Sequence, residues 1–182
     1  MRIISGIHRS RVIKMVDIST TRETTDKVRG AIFNLISFYP IEGIFLDLFS
    51  GSGAMGLEAL SRGCSKAYFN DLGRKAYNVT KENCKALGYS KEVVVTNLDY
   101  RKALSMYKEQ FNFIFLDPPY NLDCCNEIIE YVETNNLLTP NGLIICEVDK
   151  DTKINPTEKL EIYKEKNYGI RNVYLLKYKT SM

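Results

Sequence analysis

The stretch "IFLDLFSGSGAMG", residues 44–56, decides the fold. A short apolar run with β-branched and aromatic side chains stops at an acid. Gly51, Gly53 and Gly56 follow in a GxGxxG spacing, and "AMGLEALSRG" continues at a helical period. Strand, glycine turn and helix in that order form the context in which this motif binds a nucleotide. The glycines permit a tight turn and let a ligand approach backbone N–H groups where a helix begins. Beyond it the alternation repeats. "AYFND" reads as a strand and "RKAYNVTKENCKALG" as a helix closed by Gly88. "VVVTNLD" and "FNFIFLD" read as strands, with helical "YRKALSMYKE" between them. Helical "CCNEIIEYVETNN" leads to strand "GLIICEVD", and "LEIYKEKNYGIRNVYLLKYK" reads as two strands joined at a Tyr-Gly turn. Strands alternating with helices predict an α/β, doubly wound, Rossmann-like parallel sheet covered on both faces, and the closing pair adds an antiparallel edge.

Ahead of this core, "RIISG" and "SRVIKM" predict a small β-hairpin. The next segment turns helical, with Thr24, Thr25 or Asp26 as cap and Val28, Ile32, Leu35 and Ile36 on one face. The expected organisation is a hairpin-and-helix extension over residues 1–40 packed on one compact domain over 41–182.

The 182 residues suit a single core, and 45% hydrophobic with 26% charged residues excludes a disordered chain. No apolar run reaches a membrane span and no signal-peptide core precedes the first charges, so a cytoplasmic protein without membrane contact is expected. Five cysteines without a CxxC spacing, and one histidine, His8, give no metal-site pattern. Cys124 and Cys125 read as buried, reduced thiols, since no basic neighbour activates them. Residues 1–30 hold seven basic side chains against three acidic ones, while the remainder of the +3 chain is close to neutral. A basic arm carrying Arg9 and Arg11 on a neutral body points to a polyanionic partner.

Two sites emerge from the strand ends. Asp71 stands twenty residues after Gly51, where a carboxylate can take both hydroxyls of an adenosine ribose. Asp47 stands four residues before the same glycine. It would repel a pyrophosphate and attract a cationic amine, which favours S-adenosylmethionine over a dinucleotide. The second site is "FLDPPYN", residues 115–121. Two prolines end the strand rigidly, since neither donates to a ladder. Asp117 can accept one hydrogen of an exocyclic amine and the Pro118 carbonyl the other, which frees the nitrogen lone pair and aims it. Tyr120 offers a stacking surface for an extruded base. Spacing puts Asp47 and Asp117 at the carboxyl ends of strands flanking the switch point of a doubly wound sheet, so both sites are expected at one crevice.

With "MRIISG", "TRETTDKVRGAIFN", "DLFSGSGAMGLEALSRG", "FLDPPY", "NLLTPNGLIICEVD" and the late "YG" in view, the chain resembles the RsmD-like family of 16S ribosomal-RNA guanine-N2 methyltransferases, within the class I S-adenosylmethionine-dependent superfamily. The resemblance implies a seven-stranded sheet with its last strand antiparallel. It implies a cofactor, S-adenosylmethionine with S-adenosylhomocysteine as product, held by Asp47, Phe49, Ser50, Gly51, Ser52 and Gly53, by Asp71, and by Asp99 near the adenine. It implies substrate contacts from Arg22, Thr25 and Arg29, no metal, and a monomer acting on 16S RNA in a small subunit or an assembly intermediate. Glu23 replaces the proline usual in that family, and Gly73 stands where an acid is common.

Asp117 favours guanine, whose N1–H and N2 amine are neighbouring donors for an acceptor-only carboxylate. An adenine-N6 methyltransferase acting on DNA or RNA, a protein glutamine methyltransferase, a nicotinamide dehydrogenase and a non-catalytic RNA-binding relative are the competing readings.

Overall fold

A computed structural model of the chain describes residues 1–17 and 24–180. Two compact units divide it, Met1–Met106 and Tyr107–Met182. The first holds α1 (Asp26–Leu35), β1 (Ile44–Asp47), α2 (Ala54–Arg62), β2 (Lys66–Asn70), α3 (Arg74–Ala86), β3 (Val93–Thr96) and α4 (Tyr100–Met106). The second holds β4 (Phe111–Leu116), α5 (Cys125–Thr134), β5 (Leu138–Asp149), β6 (Leu160–Tyr168) and β7 (Arg171–Tyr178). The strands form one seven-stranded sheet in the order β3-β2-β1-β4-β5-β7-β6.

In the first unit β1, β2 and β3 pair in parallel, with Asp47 level with Phe69. Phe45, Leu46, Leu57 and Phe69 are completely buried there, and each side chain of this size contributes about 1.5–3 kcal/mol on burial. Helix α1 begins at Thr25, whose hydroxyl accepts from Val28 N–H, and it buries Ile32, Phe33 and Arg29. The predicted hairpin is reduced to one antiparallel bridge, Arg2 with Val12, supported by Ile3 N–H donating to the Arg11 carbonyl (2.9 Å) and Ser10 N–H to the Ile3 carbonyl (2.8 Å). A buried acid docks this arm on α2. Glu58 accepts from Ile4 N–H (2.9 Å), Ser5 N–H (3.0 Å) and Arg62 Nε (2.8 Å), and lies 3.4 Å from Arg29 Nε. A fully buried carboxylate persists only with such partners.

In the second unit β4 and β5 are parallel, and β7 runs antiparallel to both β5 and β6. The last strand therefore lies inside the sheet, and the edge falls to β6. The sequences agree with that placement: Arg171–Leu176 is buried throughout, whereas β6 exposes charged side chains such as Glu165 and Lys166. Charges on an edge strand discourage pairing with another chain. Strand β5 starts at Leu138, four residues before the predicted "GLIICEVD", and so includes Pro140. A register shift between Phe111 and Phe113 accommodates the proline, which has no N–H for the ladder.

All five cysteines are free and buried. The hydrogen bond to Cys125 and then burial push the Cys124 thiol far above its usual range, which removes the thiolate a nucleophile needs. Among the described residues no helix is long and apolar enough to cross a membrane, and no cluster of three or more His, Cys, Asp or Glu is placed to hold a metal.

Candidate active site

The glycine turn between β1 and α2 is held from below by helix α3. Gly51 and Gly53 both adopt left-handed backbone, with φ of 54° and 83°. Thr80 Oγ1 donates to the Gly51 carbonyl (2.9 Å), and Asn83 Nδ2 donates to the Ser52 carbonyl (2.9 Å). Ser50 is buried, and its N–H donates to the Asn70 carbonyl (2.9 Å). Gly56 is required by close packing, because a Cβ there would lie 2.3 Å from the Phe69 ring. At Gly51, by contrast, a Cβ would meet nothing within 4 Å. The loop thus has one packed side and one open side.

Two carboxylates flank this turn. Asp47 is 1% exposed; its Oδ2 accepts from Gly56 N–H (3.1 Å), while its Oδ1 is buried without a hydrogen-bond partner. Burial pushes the carboxyl up to about 7, the Gly56 bond opposes that, and the nearby Asp71 charge adds to it. Asp71 Oδ2 accepts from Gly51 N–H (2.9 Å) and Oδ1 from Gly73 N–H (2.8 Å), so this acid links the glycine turn to the start of α3. Burial raises its pKa and these two bonds work against the rise. Each of its oxygens retains a second lone pair for a hydroxyl donor.

Further along the unit, Asn70 ties the strand ends together. Its Nδ2 donates to the Leu98 carbonyl (2.9 Å), and its Oδ1 accepts from Thr96 Oγ1 (2.8 Å) and Leu98 N–H (3.2 Å). Asp99 is exposed and starts α4: its Oδ1 accepts from Arg101 N–H (2.9 Å) and its carbonyl from Ala103 N–H (2.9 Å). Phe49 packs on Tyr100 with ring centroids 5.7 Å apart. The residues around the turn fit S-adenosylmethionine. An orphaned buried carboxylate oxygen suits an ammonium, the open side of Gly51 admits a ligand against backbone, and Asp71 suits a diol.

The second unit carries the other candidate residues. Strand β4 ends at Leu116, and Asp117-Pro118-Pro119-Tyr120 makes the turn that follows, closed by Leu122 N–H donating to the Pro119 carbonyl (2.9 Å). The Asp117 side chain is 18% exposed and Tyr120 is 56% exposed. Arg171, from the first position of β7, donates through Nη2 to Asp117 Oδ1 at 2.6 Å. Its Cζ lies 5.3 Å from the Tyr120 ring centroid. Sequence reading does not single out Arg171, although a charge opening the otherwise buried strand "RNVYLL" signals a partnered group. Thr80, Asn83 and Asn70 escape it too, because their importance lies in backbone groups distant in sequence.

The expected substrate residues of the N-terminal segment separate into four cases. Arg9 and Arg11 are exposed on the N-terminal arm, where Arg11 Nη2 donates to the Ala86 carbonyl (3.0 Å). Arg22 lies outside the described residues. Thr25 caps α1, and Arg29 corrects the expectation outright. Its side chain is 0% exposed and is taken by the Arg2 carbonyl, Asp26 Oδ1 (3.0 Å) and Glu58. The helix period turns it inward, where it neutralises a buried acid instead of meeting substrate.

Residues 1–177 match the family described as "Conserved hypothetical protein 95". The YlbH protein of Bacillus subtilis is 37% identical over 181 residues, covering 97% of this chain and 98% of that one. The ribosomal RNA small subunit methyltransferase D of Haemophilus influenzae is 34% identical over 174 residues, covering 93% and 90%. Among solved structures, the yhhF protein of Escherichia coli superposes with a TM-score of 0.87 at 28% identity, covering 98% of both chains. A family match over nearly the whole length, joined to the glycine turn and the Asp-Pro-Pro-Tyr turn, places this chain in the RsmD family, the one described as conserved hypothetical protein 95.

Proposed function

We propose that the protein transfers a methyl group from S-adenosylmethionine to the exocyclic N2 amine of a guanine in small-subunit (16S) ribosomal RNA. The observation that carries this reading is the acceptor-only carboxylate of Asp117 on a rigid Pro-Pro turn beside an exposed aromatic ring. The names of relatives such as the Haemophilus influenzae enzyme support the substrate class.

When bound, S-adenosylmethionine supplies a methyl made electrophilic by its sulfonium. Asp47 would pair with the cofactor's ammonium through the orphaned Oδ1, and Asp71 would accept from the ribose hydroxyls. The loop from Phe49 to Gly53 would lie along the cofactor, and Asp99 near its adenine. On the substrate side the difficulty is the amine, whose lone pair is delocalised into the base. Asp117 accepts one amine hydrogen and the Pro118 carbonyl the other, which favours a tetrahedral nitrogen with its lone pair directed at the methyl donor. Tyr120 stacks on the extruded base and repays part of the unstacking cost. Asp117 can take guanine N1–H as well, a donor that adenine lacks in that position. Proton loss follows transfer, so no histidine base is needed. Arg9 and Arg11 meet phosphates of an RNA held in a small subunit or its precursor, and the enzyme acts as a cytoplasmic monomer.

The test is a labelled-methyl transfer assay that compares naked 16S RNA, small-subunit particles, DNA and protein. Label in small-subunit RNA supports the proposal. Label confined to DNA, to protein or to neither contradicts it.

A further inference from the structure

Asp117 and Tyr120 share one neighbour. Arg171 Nη2 reaches Asp117 Oδ1 (2.6 Å) and the Glu147 carbonyl (3.0 Å), Nη1 reaches Asp149 Oδ1 (2.9 Å), and Nε stands 3.4 Å from Glu147 Oε1. All three nitrogens of the guanidinium are thereby engaged by carboxylates at the ends of β4 and β5. The strand pairing explains the meeting. Asp149 is level with Arg171 across β5 and β7, and Leu116 is level with Cys146 across β4 and β5. One side chain from the start of β7 therefore reaches the residue that follows β4. Its Cζ lies over the Tyr120 ring, 5.3 Å from the centroid, in the range of a cation–π contact. Burial alone would weaken the charge on Arg171, and the facing carboxylates Asp117, Glu147 and Asp149 more than restore it.

This arrangement does two things at once. The short bond from the guanidinium fixes the orientation of the Asp117 carboxylate, a group whose oxygens only accept hydrogen bonds. A planar guanidinium against one face of Tyr120 fixes the ring plane and directs a stacked base to the other face. A carboxylate has about four acceptor positions, so the bond to Arg171 does not consume its capacity for an amine. Lysine would supply the charge without the planar fork that spans three acids.

We infer that Arg171 is a positioning residue for amine transfer: it holds the Asp117 carboxylate in one orientation and backs the Tyr120 ring, so that the target amine meets a preorganised acceptor. The inference rests on the function proposed above.

Arg171→Ala and Arg171→Lys are compared with the unmodified protein in methyl transfer to small-subunit particles, with S-adenosylmethionine affinity measured by calorimetry. The expected result for Arg171→Ala is a kcat lowered by about 100-fold with cofactor Kd within about twofold. Millimolar guanidinium should restore about tenfold of the lost rate. Urea, of the same shape and neutral, should restore none. Arg171→Lys, which keeps the buried charge and guards against a folding failure, should recover only part of the rate. A kcat within about threefold of the unmodified protein in a folded variant, or equal rescue by urea, overturns the inference. A second arm needs no catalysis: a double-mutant cycle of Arg171→Lys and Asp117→Asn in urea unfolding. Coupling of about tenfold or more in the unfolding constant supports the hold on Asp117, and additive effects overturn it. If the unmodified protein transfers no methyl to any RNA, the proposed function fails, while this cycle still decides whether Arg171 holds Asp117.

Discussion

At the scale of single residues, the acid that ends β1 and the acid that follows β4 sit in different surroundings. Asp117 faces a guanidinium, whereas Asp47 is enclosed, with one oxygen unpartnered and its carboxyl raised to about 7. The folded pKa of Asp47 lies above its unfolded value of 3.8. Its contribution to stability is therefore fully present below about pH 4 and is lost as the pH rises to about 7. An ammonium ligand reverses that preference by favouring the ionised carboxylate. Cofactor affinity is expected to climb by up to about tenfold per pH unit below 7 and to level off above it, while Asp47→Asn flattens the curve. Calorimetry between pH 5.5 and 8 measures this, and an affinity independent of pH in the unmodified protein would refute the role given to Asp47. The Asp117→Ala prediction is separate. Transfer should fall by at least about 100-fold with cofactor affinity nearly intact, and full activity in that variant would remove Asp117 from the chemistry.

At the scale of elements, the glycine turn depends on helix α3 as much as on its own sequence. Thr80→Val and Asn83→Ala remove the side chains that hold the Gly51 and Ser52 carbonyls. Each is expected to cost about 1–2 kcal/mol of stability and to raise the cofactor Kd about tenfold through a loosened loop. Urea unfolding with cofactor titration checks both, and unchanged affinity would show that the loop holds itself. Thr25→Ala should cost about 1 kcal/mol through the lost cap, with transfer kinetics unaltered; a raised KM for RNA would return Thr25 to the substrate surface. The helices and strands were largely legible because each apolar period was long enough to identify and glycines punctuated it. What escaped was non-local. The insertion of β7 between β5 and β6 leaves no trace in local spacing, apart from the contrast between buried "RNVYLL" and charged "EIYKEK". The Glu58–Arg29 pair was missed for the same reason, since a charged residue on a helix reads as exposed until the arm that covers it is known.

At the scale of the whole molecule, charge is separated by location. The N-terminal arm exposes Arg2, Arg9 and Arg11, while Arg29 and Arg171 are buried and paired with acids. Counting basic residues in the sequence therefore overstates the cation available to a polyanion, and Arg9 and Arg11 carry the expectation. Their replacement by Ala should weaken RNA binding and flatten its salt dependence by about 0.7 in log–log slope for each lost phosphate contact. Binding measured at several salt concentrations tests this, and an unchanged slope would reduce the arm to a solvated face. The glycine motif and the Asp-Pro-Pro-Tyr turn make the candidate site readable, because each residue's chemistry is specific in the sequence itself. The residues that orient them, Thr80, Asn83 and Arg171, were readable only once the chain was folded. The central claim concerns the base and the atom that receive the methyl. Mass and chromatographic analysis of nucleosides released from small-subunit RNA after transfer tests it most directly. N2-methylguanosine at one position, absent with Asp117→Ala, is the predicted result; N6-methyladenosine, or no methylated nucleoside at all, would contradict it.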